Sequence, residues 1–214
     1  MPFKKYRLPI EIFFFWVFPF SILYFTYPIF IENFGKEFAY FMILFPAITM
    51  YWVVGTGAGY CKFWYFNTSY SPQGVMLTIG FIYSACINLS NLIVYPLLAQ
   101  QNWLYVVAVG VFTAVFAIIV DIFLLGSGLF YLKSKKYPLG SNPVNHAISY
   151  GKYFFTIVGM WNAVGLFIGY QFIQKGISVI TLLIIMPLLF ASSFMIRFLS
   201  RFRALKKKNL IYGQ

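Results

Sequence analysis

Charged side chains are scarce in this chain. They make up only 9% of its 214 residues, whereas an ordinary soluble domain is roughly 25% charged. Hydrophobic residues make up 61%, and the stretches between the apolar runs are short. This balance excludes a separate soluble domain and predicts an integral membrane protein. Any chemistry must then lie inside the bilayer or at its faces.

Acidic residues, histidine and cysteine are also rare, with four, one and two copies respectively. Intramembrane hydrolases generally need paired acids, or a nucleophile with a base and an orienting group, and bis-histidine haem needs two histidines. Cys61 lies near a helix end and Cys86 in mid-helix, so we expect neither a disulfide nor a metal site. The sequence therefore predicts no cofactor and leans against an enzyme.

Positive charge is the one kind of charge in excess, at a net +12. In a soluble protein this value would suggest a nucleic-acid partner. Here Lys and Arg gather at the ends of the apolar runs, where they set orientation and meet anionic lipid headgroups. We expect the partner to be a bilayer with anionic headgroups at the cytoplasmic face, and no nucleic acid.

Six apolar runs are long enough for transmembrane helices, which need about 20 residues each. They cover approximately residues 9–31, 38–57, 75–99, 103–125, 147–173 and 177–199, and a basic tail follows at 200–214. The Lys and Arg residues divide thirteen to two between the two faces when Arg197, at the end of the sixth span, is counted and Lys152, within the fifth, is left out. Because cytoplasmic loops carry the excess of positive charge, both termini are predicted to be cytoplasmic. The predicted fold is an all-α bundle of six spans in one polytopic membrane domain, residues 1–214.

A shift of 71 residues aligns residues 55–91 with 126–162 without a gap, with seven identities in 37 positions. The identities pair Gly55 with Gly126, Gly57 with Gly128, Tyr60 with Tyr131, Lys62 with Lys133, Pro72 with Pro143, Gly80 with Gly151 and Asn91 with Asn162. Most of these residues either fix backbone geometry or need a polar partner. The alignment predicts a parallel two-helix repeat, and the alternative is chance matching in a biased composition.

Glycine motifs recur at helix ends. Both aligned segments begin with GxGxxYxK after an apolar run. A phosphate-binding loop presents the free N–H groups of a helix N-terminus, whereas these glycines follow a helix C-terminus, where carbonyls are exposed. We therefore expect close helix contact rather than a nucleotide site. Gly165 and Gly169 form a GxxxG pair, which likewise predicts close packing.

Buried polar side chains are the first candidates for a functional site. Ser84, Asn88 and Asn91 follow i, i+4, i+7 spacing and share one helix face, and the repeat places Asn162 at the depth of Asn91. One interpretation is hydrogen bonding between helices. The other is a polar path near the membrane centre, at the interface between repeats.

Ionisable side chains form the second candidate group. Glu11, Asp121, His146, Lys152 and Arg197 fall at similar depth near the predicted cytoplasmic ends of the spans. An acid within a span needs a named partner, and we expect Lys152 or Arg197 to pair with Asp121. The layer is either a set of ion pairs that joins helix ends or a gate, in which His146 titrates near neutrality.

Two functions follow from these patterns. The first is translocation of a small solute or a lipid, with the amide cluster lining the path and the ionisable layer gating its cytoplasmic mouth. The alternative is a non-catalytic subunit that packs against other membrane proteins, or a homo-oligomer, through its glycine and aromatic faces. Aromatic residues make up 23% of the chain, and they also suit contact with lipid at the membrane interfaces.

Overall fold

The computed structural model describes residues 1–60, 64–68, 72–132 and 142–207, of which 88% are helical. The helices are α1 (Lys4–Phe34), α2 (Lys36–Val54, continued by a π-helical turn at Gly55–Tyr60), α3 (Pro72–Ala99), α4 (Leu104–Ser127), α5 (Pro143–Gln174) and α6 (Val179–Lys207). The first five are long and apolar enough to cross a membrane, and the apolar described segment of α6, Val179–Phe190, is shorter. These findings support an all-helical, membrane-embedded bundle.

The helices are joined by compact turns. Gly35, with φ of 80°, separates α1 from α2, and Gly176, with φ of 82°, separates α5 from α6. Side chains disfavour this left-handed backbone, which glycine adopts freely. Asn142 caps the start of α5 by accepting hydrogen bonds from the amides of Val144 and Asn145, as residues at this position commonly do.

Helices α2 and α3 each contact four others: α2 contacts α1, α3, α5 and α6, and α3 contacts α1, α2, α4 and α5. The most extensive interface joins α4 to α5. At this interface a Cβ atom on Gly159 would lie 2.9 Å from the Gly110 Cα atom and 2.8 Å from the Thr113 Cβ atom. The two backbones therefore approach each other more closely than any side chain at position 159 allows.

Other glycines accommodate aromatic rings. A Cβ atom on Gly165 would lie 2.3 Å from the ring of Phe45, and one on Gly169 would lie 2.1 Å from the ring of Phe41. These two rings stack with their centroids 5.1 Å apart. The GxxxG pair in α5 thus packs against two phenylalanine rings of α2. The predicted close packing is therefore a contact of glycines with side chains and not with a second backbone.

A short β-ribbon, which the sequence analysis did not predict, joins the segments that follow α2 and α4. Strand β1 (Trp64–Phe66) pairs antiparallel with β2 (Phe130–Leu132). The ring centroids of Tyr65 and Tyr131 are 4.6 Å apart, and burial, together with the nearby Tyr65 phenol, raises the pKa of Tyr131. The side of the bundle that carries this ribbon is called the ribbon end below.

The N-terminal segment, residues 1–7, docks at the ribbon end. The Phe3 amide donates to the Gly126 carbonyl at 2.9 Å, and the Arg7 guanidinium donates to the Asn67 carbonyl. A Cβ atom on Gly126 would lie 2.3 Å from the Phe3 ring, and that ring stacks on Phe123. Gly126 of the second GxGxxYxK motif therefore leaves the space in which Phe3 of the N-terminal segment packs.

Replacing Gly126 with valine is expected to release this segment, because the new side chain occupies the place of the Phe3 ring. Trypsin cleavage after the exposed Lys4 and Lys5 should then be several-fold faster than in the wild type. The measurement is the rate of cleavage in detergent, followed by mass spectrometry. Ile119→Val, a change at an exposed position of the same helix, is the matched control. Equal rates in all three proteins would show that Gly126 does not hold the segment.

Candidate functional site

Asp121 is fully buried in α4, and two tyrosine hydroxyls bind its carboxylate. Tyr83 of α3 donates to Oδ1 at 2.6 Å, and Tyr150 of α5 donates to Oδ2. A carboxyl group therefore joins three helices at a point six residues before the end of α4. The neighbouring ring of Phe155 packs on both tyrosines, with its centroid 4.9 Å from Tyr83 and 5.9 Å from Tyr150.

The two tyrosines differ in their access to the surface. Tyr83 is 4% exposed, whereas Tyr150 is half-buried. His146 lies one turn nearer the start of α5, and its ring centroid is 5.8 Å from that of Tyr150. The Tyr150 side of the carboxyl group thus leads towards the ribbon end, and the Tyr83 side leads into the bundle.

The predicted ionisable layer is only partly brought together. Lys152, one of the two partners expected for Asp121, is exposed, and its ammonium lies 5.0 Å from the Tyr153 ring centroid. The other, Arg197, lies on α6, and its side chain is outside the described part of the structure. Glu11 has one buried carboxylate oxygen without a hydrogen-bond partner among the described residues. The expectation of Lys152 as the partner is therefore corrected: tyrosines take its place.

The predicted amide cluster is buried, and it extends across the α3–α4 interface. Asn88 donates to the Ser84 hydroxyl at 3.4 Å, and Tyr105 of α4 donates to Oδ1 of Asn91 at 2.8 Å. Between these pairs, Thr113 donates to the Ser90 hydroxyl at 3.1 Å. We call these buried side chains together with Asp121 and its inner tyrosine the polar line: Tyr83, Ser84, Asn88, Ser90 and Asn91 of α3, and Tyr105, Thr113 and Asp121 of α4.

Three amide side chains keep one hydrogen-bonding atom buried and without a partner in the described structure. These atoms are Oδ1 of Asn88, Nδ2 of Asn91 and Oδ1 of Asn162. Nδ2 of Asn162 donates to the Val158 carbonyl of its own helix. Since Nδ2 of Asn91 and Oδ1 of Asn162 have no partner among the described residues, these two amides are not bonded to each other. In hydrocarbon, an unpaired polar atom costs free energy that a bound polar group can recover.

The polar line occupies part of the membrane thickness. Along α3 its members run from Tyr83 to Asn91, which are eight residues, or about 12 Å, apart at 1.5 Å per residue, and the Tyr105 hydroxyl joins the line at Asn91. The hydrocarbon core of a bilayer is about 30 Å thick. Asp121 and Tyr105, which bind the two ends of the line, are fully buried, so the line is closed at both ends in this conformation.

Sequence reasoning missed the two tyrosines. The sequence did contain a signal for Tyr83. Tyr83, Cys86 and Ser90 follow i, i+3, i+7 spacing and therefore share one helix face. The seventeen tyrosines of the chain made this one inconspicuous, and nothing in the local sequence of α5 singles out Tyr150.

Comparisons with known proteins give no relative. The chain matches no protein-family model, no curated protein and no solved structure.

Proposed function

We propose that the protein translocates a small solute or a lipid along the polar line. The observation that carries this proposal is the set of buried amide atoms without partners, two of which lie on the line, at Asn88 and Asn91. Polar groups inside membrane helices face the bundle interior or a pathway. A passing hydrogen-bonding group would satisfy these atoms in turn.

The side chains of the line favour a neutral, hydrogen-bonding cargo. An amide offers both donors and an acceptor, and a hydroxyl offers one donor and an acceptor. Apart from Asp121, the line consists of Asn, Ser, Thr and Tyr side chains. This lining suits an uncharged polar solute or the polar part of a lipid better than an ion of fixed charge.

The proposal includes six spans, with both termini and the ribbon end in the cytoplasm. Helix α6 supports the sixth span because its uncharged part, residues 179–196, corresponds to about 27 Å, which is close to the hydrocarbon thickness of about 30 Å. The positively charged residues of the N-terminal segment lie at the ribbon end, as a cytoplasmic location requires.

The two-helix repeat is also part of the proposal, and the aligned glycines of α3 and α5 support it. A Cβ atom on Gly80 would lie 3.1 Å from the Tyr51 amide of α2, and one on Gly151 would lie 2.8 Å from the Ile118 side chain of α4. In each half the glycine meets the preceding helix. The ends of α2 and α4 differ, since Gly128 has a left-handed backbone conformation whereas Gly57 lies within a π-helical turn. Lys62 and Lys133 lie outside the described residues.

Replacing Asn91 with leucine is expected to reduce flux roughly thirtyfold, because the change removes a polar contact and leaves the Tyr105 hydroxyl without its acceptor, together worth about 2 kcal/mol. Asn88→Leu, at the other amide of the polar line that has an unpaired atom, should act in the same direction. The measurement uses proteoliposomes given an inward gradient of urea or glycerol, or a fluorescent phospholipid in the outer leaflet.

The matched control for flux is Asn33→Leu, at an exposed position near the end of α1. This variant should retain wild-type flux. Unchanged flux in folded Asn91→Leu and Asn88→Leu would remove the translocation proposal.

A second candidate function is that of a non-catalytic subunit, and α1 favours it. This helix is the least buried of the five long apolar helices, and it exposes an aromatic row at Trp16, Phe20 and Tyr24. Native mass spectrometry of the protein extracted in mild detergent distinguishes the two functions. A stoichiometric complex with other chains would establish the subunit, whereas a monomer or small homo-oligomer with a retained small molecule would favour translocation.

A further inference from the structure

Within the described residues, the carboxyl group at the ribbon end of the polar line is bound by phenols and by no cation. The hydroxyls of Tyr83 and Tyr150 are the hydrogen-bond partners of Asp121 in the described structure. An ionised carboxylate in hydrocarbon carries a large cost in free energy unless a positive charge lies beside it. A neutral carboxyl group avoids that cost, and release of its proton requires access to water.

We propose that Asp121 is a proton-exchange site that couples translocation along the polar line to proton movement. This inference rests on the proposed function, because the coupling requires a cargo that moves. Asp121 holds a proton while the site is closed and gives it to water at the ribbon end when the site opens. In this step the O–H bond of the carboxyl group breaks, the proton passes to water, and the carboxylate keeps the electron pair.

The two tyrosines can serve either protonation state of the carboxyl group. A neutral carboxyl group has one O–H donor and one acceptor oxygen. Both hydroxyls donate to the carboxyl oxygens in this conformation, so in the neutral form one of them must turn to accept the acid proton. That role falls to Tyr150, beside Oδ2, because its side of the site is the more exposed. After ionisation, both hydroxyls donate to the carboxylate. Rotation of one hydroxyl therefore accompanies each change of protonation.

The proton leaves on the Tyr150 side of the site. Tyr150 is half-buried, while Tyr83 is enclosed. His146 packs against the Tyr150 ring one turn nearer the start of α5. A small separation at the start of α5 would thus bring water to Tyr150 before it reached Tyr83, and the remainder of the polar line would stay closed.

Other titratable or charged side chains occur on the elements packed against this end of α4. They are Cys86 of α3, His146 and Lys152 of α5, Lys4, Lys5, Arg7 and Glu11 of α1, and Tyr131 of β2. None of them is hydrogen-bonded to Asp121 in the described structure. The Arg7 guanidinium is bonded instead to the Asn67 carbonyl.

Infrared spectroscopy tests the site directly, and the chain is well suited to it because it has only four acidic side chains. The wild-type protein, reconstituted in lipid, is titrated from acidic to alkaline pH in H₂O and in D₂O. We expect a carboxylic C=O band that shifts in D₂O and disappears as the pH rises. Asp121→Asn should lose this band, and Glu11→Gln, the control at the other buried carboxyl oxygen, should keep it.

Tyr150→Phe provides a second variant that retains the acid. Loss of the acceptor for the acid proton should shift the frequency of the C=O band, whereas Tyr153→Phe, at an exposed position of the same helix, should not. Two results would overturn the proposal. One is a carboxylate that stays ionised at every pH, and the other is a carboxylic band that neither titrates nor exchanges with deuterium.

Coupling is tested separately in the same proteoliposomes, with urea or glycerol as the cargo and an enclosed pH dye as the proton probe. We expect the flux to depend on pH in the wild type and to lose that dependence in Asp121→Asn. Flux that is independent of pH in both the wild type and Asp121→Asn would overturn the proposed proton coupling but not the proposed translocation. A titrating Asp121 band without any flux would instead overturn the proposed function and leave the proton site intact.

Discussion

Replacing Asp121 with leucine should lower the free energy of unfolding by about 1 to 4 kcal/mol, since it removes two interhelical hydrogen bonds, each worth ~0.6 to 2 kcal/mol in a membrane protein. The loss has a specific cause. Leucine leaves the hydroxyls of Tyr83 and Tyr150 without their common acceptor, and the first of these hydroxyls is enclosed. Reversible unfolding in mixed micelles, followed by tryptophan fluorescence, measures the change.

A double replacement separates the cost of the unpaired Tyr83 hydroxyl from the cost of the larger leucine side chain. Asp121→Leu combined with Tyr83→Phe should recover part of the stability, because replacing both partners removes the unpaired group. Tyr153→Phe, at an exposed tyrosine of α5, should leave stability unchanged. If the double variant is less stable than Asp121→Leu by the full cost of Tyr83→Phe alone, the two side chains act independently, and the hydrogen bond contributes nothing.

Gly159→Val should destabilise the protein by about 1 to 3 kcal/mol, as overpacking of a close contact does. The new side chain meets the Gly110 Cα atom as well as the Thr113 side chain, so a change of the Thr113 rotamer is not enough and helix α4 must move to make room. The expected readout is a fall of several degrees in the melting temperature, measured in detergent by loss of the monodisperse peak. Ile157→Val, on the exposed face of the same helix, should stay within about 0.5 kcal/mol of the wild type.

Gly165→Val offers a contrast, because its obstacle is a side chain. The new valine would meet the Phe45 ring, and a second replacement, Phe45→Leu, should restore much of the lost stability. No single side-chain replacement should do the same for Gly159→Val. Equal rescue at the two positions would contradict the distinction between a glycine that meets a backbone and a glycine that meets a ring.

The class of the protein could be predicted from its sequence, because hydrophobic length is a local property. Five long apolar helices and the burial of Asn88, Asn91 and Asn162 follow from the composition of each segment. The partner of Asp121 could not be predicted in this way. Charge complementarity favoured Lys152, but a flexible lysine near a helix end can extend to the surface, whereas two phenols can satisfy a carboxyl group within the bundle.

The β-ribbon escaped prediction for a related reason. Its three-residue strands are too short for an alternating pattern to stand out, and their pairing depends on α2 and α4 ending at the same side. The glycine motifs were recognised as sites of close contact, but their partners are distant in sequence. Gly126 receives Phe3 from the other end of the chain, and no local pattern reports such a contact.

The contacts of the ribbon end also set an order for assembly during synthesis. Phe3 binds the end of α4, and Arg7 binds Asn67 beside β1, which pairs with β2. The long-range backbone bonds of Phe3, Asn67 and β1 at this end are all made to residues 126–132. While only α1, α2 and α3 have been inserted, the growing chain therefore carries an undocked N-terminus and an unpaired strand edge, which is prone to mispairing. Completion of α4 and β2 closes both together, so a chain truncated before residue 126 should be a target for quality-control proteolysis.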